Sequence, residues 1–176
     1  MPGPTFRRAV PPDRDAFLKY IETQRAALAA ARAGGDEGAI LNAAGTLGSA
    51  LFMEPGCEGE AAILLEEALA LSRKRGDRAR EIDGLLGLGT AVQYLGERAR
   101  AVALFEDGLR LCAETGIRGQ ENFLLHHLGR CLVEMGRLDE ARAAFEAALA
   151  LREAMGVPRF VESTKGALAE LAEMRQ

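Results

Sequence analysis

The residues of this chain best suited to chemistry are a histidine pair, His126-His127, and three cysteines, Cys57, Cys112 and Cys131. Adjacent positions on a helix diverge by about 100°, so the two imidazoles cannot grip one ion from the same turn of backbone. No carboxylate, histidine and cysteine recur at metal-ligand spacing. The cysteines are odd in number and far apart, which suits reduced packing residues; Cys57, in the turn-like Pro55-Gly56-Cys57, is the one expected at the surface. Phosphate loops, nucleophile elbows and paired acids are missing from the sequence. The expectation is therefore a non-enzyme without cofactor or metal, in which His126 serves as a polar contact. Two basic runs, Arg73-Lys74-Arg75 and Arg78-Ala79-Arg80, flank one turn. Cations at a helix C-terminus meet the negative end of its dipole, which accounts for the first run without an acidic partner.

The elements that position these residues repeat. Ala61, Ala101 and Ala141 are in step at 40 residues, as are Leu69, Leu109 and Leu149, and Gly76, Gly116 and Gly156. Leu47-Gly48, Leu88-Gly89 and Leu128-Gly129 precede them at spacings of 41 and then 40. A fixed period of this length marks stacked copies of one helical unit. The first unit is the looser one, with an extra residue in its turn.

Apolar periodicity predicts helices from Asp13 to Gly34-Gly35, from an N-cap at Asp36 to Leu51, over Glu58–Arg75, over Arg78–Leu95 and Glu97–Thr115, over Glu121–Met135 and Leu138–Met155, and over Arg159–Met174. Phe17, Leu18, Ile21 and Leu28 form the first stripe. Pro55-Gly56, Gly96 and Gly136 punctuate turns inside pairs, while Gly76, Gly116 and Gly156 do so between them. Strand-like alternation is absent, so the fold class is all-α. Pro2, Pro4, Pro11 and Pro12 predict an extended or disordered segment over 1–12, ahead of one domain over 13–176.

Apolar residues make up 48% and aromatics 5%, so the core must be built from Leu, Ala and Val. A net charge of −4 with interspersed signs excludes the clustered basic stripe of a nucleic-acid surface. No run is long enough to span a membrane and no signal-peptide core follows Met1, which leaves a cytoplasmic expectation; Ala/Arg/Gly-rich composition suggests a bacterial source.

The third unit, with Leu125, Leu128, Gly129, Leu132, Ala141, Phe145 and Ala148, closely resembles the tetratricopeptide pattern. The second matches through Leu85, Leu88, Gly89, Val92, Ala101, Phe105 and Gly108, and the first through Ala44, Leu47, Gly48, Leu51, Ala61, Leu65 and Ala68. The 40-residue period is similar to that of kinesin light chains and bacterial signalling regulators. The resemblance implies a right-handed α-solenoid of antiparallel helix pairs, about three units between an N-terminal helix and a C-terminal capping helix.

It also implies a concave groove lined by the first helix of each pair, on the stripe opposite the Leu-Gly residues. Those positions are Asn42, Gly45, Ser49, Phe52 and Met53; Asp83, Leu86, Thr90, Gln93 and Tyr94; and Phe123, His126, Arg130, Val133 and Glu134. Family members that clamp a chaperone's carboxylate tail use Lys, Asn and Arg on this stripe. Here Arg130 alone could do so, which argues against that task. Phe52, Met53, Leu86, Tyr94 and Phe123 are large and apolar on a stripe expected to face solvent, so a partly apolar peptide or helix is the expected partner. Leu86, Tyr94 and Phe123 would anchor it, with His126, Arg130, Gln93 and Asp83 setting polarity. Two alternatives stand beside this reading. A terminal helix could fold over the groove and bury the stripe, or the chain could self-associate through its ends as a homodimer, with Phe17 and Tyr20 at the contact. A small-molecule sensor or enzyme would need a closed pocket.

Overall fold

A computed structural model describes residues 11–174, with side chains, and the disorder expected for 1–12 falls outside it at 1–10. Among the described residues there are eight α-helices and no strands. They are α1 (Arg14–Gly34), α2 (Glu37–Leu51), α3 (Glu58–Arg75), α4 (Arg78–Tyr94), α5 (Arg98–Thr115), α6 (Glu121–Glu134), α7 (Leu138–Met155) and α8 (Pro158–Glu173). The sequence boundaries hold to within a residue or so; α4 and α6 stop one residue early because Leu95 and Met135 are already cap residues. The helices form two compact units, one of α1–α4 and the other of α5–α8. Consecutive helices pack on each other within each.

Helix limits follow from short-range chemistry. Asp13, Asp36 and Asp77 cap α1, α2 and α4, their carboxylates accepting from the amides of Ala16, Gly38 and Arg80 at 2.9, 2.8 and 3.0 Å. Gly76 closes α3 in the left-handed region at φ 66°, and Gly156 closes α7 in the same way. Any side chain at those two positions would be strained.

Glycine also sets how closely the paired helices approach. A Cβ on Gly48 of α2 would lie 2.7 Å from Leu65 of α3, and one on Gly129 of α6 would lie 2.7 Å from the Phe145 ring of α7. Each pair is thus wedged at its Leu-Gly step by a large side chain from its second helix. Leu47, Gly48, Ala61, Leu88, Gly89, Ala101, Phe105, Leu128, Gly129, Ala141, Phe145 and Ala148 are all buried. Of the stripe assigned to α1, Ile21 and Leu28 are buried but Leu18 is 37% exposed. The core lies on one side of that helix only.

In the α1–α4 unit the basic runs are consumed internally. Arg73 and Arg78 both donate to Glu81, at 2.9 and 2.7 Å, and Lys74 reaches Glu37. Burial of Glu81 would raise its carboxyl, but the two guanidinium hydrogen bonds outweigh it and hold the group below its ordinary value. The runs therefore stitch α2, α3 and α4 together. No helix among the described residues is long and apolar enough to cross a membrane.

Candidate protein-binding face

Helices α2 and α4, the first helices of consecutive pairs, lie beside each other. At their C-terminal ends the rings of Phe52, the cap residue of α2, and Tyr94, the last residue of α4, lie 6.3 Å apart and tilted by 48°. Phe52 and Met53 fall just beyond the helix on which the stripe placed them. Both rings are half-buried, as are Met53 and Leu86. Asn42, Ser49 and Asp83 are exposed. Asp83 sits 3.9 Å from Arg80, one turn back on the same helix. The face is apolar at one end and polar along its length.

Two residues assigned to this stripe do not belong to its surface. Thr90 is 2% exposed and its hydroxyl donates to the carbonyl of Leu86 at 2.9 Å. A threonine that satisfies itself on its own helix can be buried without a partner, so residue type misled. Gln93 is 3% exposed and likewise lies inside. Neither can set the polarity of a groove.

The α6 stripe in the other unit is likewise largely buried, with α8 beside it. Phe123 meets Phe160 edge to face, with centroids 5.0 Å apart. His126, 6% exposed, has its Nδ1 3.3 Å from the Thr164 hydroxyl and its ring 5.5 Å from that of Phe145. Arg130 and Val133 are also buried, and Glu134 is half-buried, accepting from Arg98 at 2.8 Å. His126 and Arg130 are therefore interior residues rather than groove contacts, and Phe123 is half-buried against Phe160. Helix α8 stands beside α6 as α4 stands beside α2, and the slots of Arg130 and Val133 are those of Thr90 and Gln93, so this burial is the packing of consecutive first helices.

The centre of that packing escaped sequence reasoning. Arg152 of α7 is 2% exposed and has no carboxylate partner among the described residues. Its Nε donates to Asn122 of α6 at 3.1 Å, and its Nη1 donates to the Phe160 carbonyl at 3.2 Å and to the Thr164 hydroxyl at 2.7 Å. The guanidinium carbon stands 5.4 Å from the ring centroids of both Phe123 and Phe160, two cation–π contacts in place of a counter-ion. Burial lowers the guanidinium to about 10, still charged at neutral pH. The register held the signal: Arg152 occupies the slot of Ser72 and Cys112, both buried, and Asn122 occupies that of Ile82.

The imidazoles respond to this surrounding. Burial first, then the charges of Arg152 and Arg130, pushes His126 down to about 2 and His127 down to about 3. The rings are 5.9 Å apart and nearly perpendicular, His127 packing toward Phe105. Both are neutral packing groups near pH 7. Cys131, buried on the same helix, is raised by its burial to about 12 and is inert as a thiolate.

Helix pairs wedged at a Leu-Gly step define a class, the helical-repeat interaction proteins. Residues 123–154, which run from α6 through most of α7, match the family model of the tetratricopeptide repeat. The chain therefore carries a tetratricopeptide repeat over α6 and most of α7. Among curated proteins none matches it. Repeats of this family are protein-interaction or scaffold modules, and that is the general role the match supports.

Proposed function

We propose that the chain recognises a helical or extended segment of another protein on the α2–α4 face. The Phe52–Tyr94 pair carries this reading: two half-buried rings, one at the C-cap of α2 and one at the end of α4, with Met53 of the following turn and Leu86 adding apolar surface. The partner segment presents apolar side chains to the rings and polar ones to Asn42, Ser49 and Asp83. Thr90, Gln93, His126 and Arg130 play no part in contact, since all are buried. Aromatic side chains in half-desolvated positions are where binding energy concentrates.

Peptide display against the whole chain tests the reading. Selected peptides should carry spaced apolar residues and lose about tenfold or more in affinity to a Phe52→Ala/Tyr94→Ala variant that retains its helical circular dichroism. Phe123→Ala, also checked for retained fold, should leave their affinity unchanged. Peptides that bind the Phe52→Ala/Tyr94→Ala variant as tightly as the wild type would refute the assignment.

A further inference from the structure

The repeat register exposes a mismatch at each end of the described helices. Helix α1 ends at Gly35, which stands 41 residues before Gly76, so α1 occupies the slot of a second helix. By the same step Ile21 and Leu28 take the slots of Ala62 and Leu69, and all four are buried. Tyr20, Gln24 and Ala27 take the slots of Ala61, Leu65 and Ala68, which face the first helix of their own pair and are at most 3% exposed. In α1 these slots are open: Tyr20 is 44% exposed, Ala27 is exposed and Gln24 is half-buried. Among the described residues no first helix lies against them.

Helix α8 shows the converse. It occupies the slot of a first helix, 40 residues after α6. Thr164 and Leu171 take the buried slots of Leu124 and Cys131 and are themselves buried. Leu168, Ala169 and Ala172 take the slots of Leu128, Gly129 and Leu132, which pack on the second helix of the pair. Here Leu168 is half-buried and Ala169 and Ala172 are exposed. The Gly129 slot holds Ala169, whose Cβ is accommodated because the slot facing it in α1 is the flexible Gln24 rather than Leu or Phe, and Gly166 nearby has nothing within 4 Å of where a Cβ would be.

We infer that α8 of one copy and α1 of a second copy of this chain pair as the first and second helices of one repeat. The occupant is argued from the internal pairs: each open face is the face that α2–α3 and α6–α7 bury against each other, and each copy carries one of each kind. Antiparallel pairing in that register sets Ala169 against Gln24 and Tyr20, as Gly48 sets against Leu65 and Ala61. It also brings the acidic end of α8, with Glu170 and Glu173, toward Lys19 near the start of α1, where Arg14 is already paired with Glu54. The two surfaces differ, so the contact is head-to-tail and leaves a free face at either end for further copies.

Mass by light scattering over a dilution series of the whole chain tests this, using Ala27→Arg to block α1 and Ala169→Arg to block α8. Both positions are exposed, and unchanged circular dichroism verifies the fold. The wild type should gain mass with concentration and each variant alone should remain monomeric. A mixture of the two variants should form a 1:1 dimer that grows no further, because each retains the face the other has lost. A wild type that stays monomeric throughout overturns the inference, as does a mixture that fails to associate. Either variant associating alone like the wild type would also overturn it. The α2–α4 face is untouched by these substitutions, so peptide binding and self-association succeed or fail separately.

Discussion

Both terminal helices bury apolar residues, Ile21 and Leu28 in α1 and Ala167 and Leu171 in α8, but the polar contacts that hold them differ. Helix α8 is held by a buried cation, Arg152, whose donors reach Asn122 and Thr164 while two aromatic rings flank its charge. Helix α1 buries Ile21 and Leu28 and is otherwise tied by ion pairs at the surface, Arg14 to Glu54, Arg25 to Glu60 and Arg32 to Glu67. A buried polar network is costly to break and insensitive to salt, whereas exposed ion pairs are weak and screened. The contrast bears on the two stripes, because α8 engages Phe123 and His126 of α6 directly, through Phe160 and Thr164. Releasing α8 would give the molecule a second apolar face.

The largest effect should come from Arg152→Ala. It strands the Asn122 and Thr164 side chains, removes two cation–π contacts and leaves a cavity, at a total of about 3 kcal/mol. Hydrogen exchange should show α8 amides losing protection ahead of α1 amides, with new binding of a hydrophobic dye as Phe123 and His126 become exposed. If α1 and α8 lose protection together, the lock is not local to α8.

That lock also measures how far sequence carries. The helices and the buried Leu, Ala and Gly positions were legible because close packing admits few residue types and the 40-residue step repeats them. The α8 contact on α6 was not, because it depends on one residue in a slot that Ser72 and Cys112 fill quietly elsewhere. A charged side chain in the second helix reads as solvent-facing until its slot is known to be interior. Thr90 misled in the same direction, its hydroxyl being spent on the Leu86 carbonyl. Phe52 and Tyr94 could be placed on one stripe from spacing alone, but their approach across two helices required coordinates.

Acid should separate the units next. Both histidines belong to the α5–α8 unit. His126 has a folded value near 2 against an ordinary 6.5, so below pH 6.5 the unfolded chain takes up a proton that the folded chain refuses. Its contribution is complete above pH 6.5 and declines by about 1.4 kcal/mol per pH unit below it, or about 2 kcal/mol by pH 5. Glu81 in the α1–α4 unit is depressed from 4.5, so its contribution is lost only as pH falls below that value. Denaturation between pH 7 and 5 should therefore weaken α5–α8 first. A His126→Asn variant, whatever its stability at pH 7, should show a shallower decline; an unchanged slope would remove the histidine from this account.

Phe123→Ala and Tyr94→Ala divide the two stripes by what they damage. Phe123 lies between Phe160 and Arg152, and its loss should cost about 2 kcal/mol of stability, read as a lower denaturation midpoint. Tyr94 is half-buried on the open stripe and should cost about 1 kcal/mol or less while weakening any partner held there. Reversed stabilities would mean that α8 leaves the α6 stripe uncovered in solution.

The smallest effect belongs to α1. Arg25 donates to Glu60 through both terminal nitrogens, which raises the guanidinium and lowers the carboxyl, yet side-chain exposures of 46% and 41% leave the pair open to water. Arg25→Ala should cost about 0.5 kcal/mol, with the difference from wild type shrinking as salt rises from 0.05 to about 1 M, where the screening length falls to about 3 Å. Exchange of α1 amides in the wild type should quicken over the same range while that of α8 amides holds steady. Equal responses in the two helices would mean that burial of Ile21 and Leu28, rather than surface charge, governs how α1 is attached.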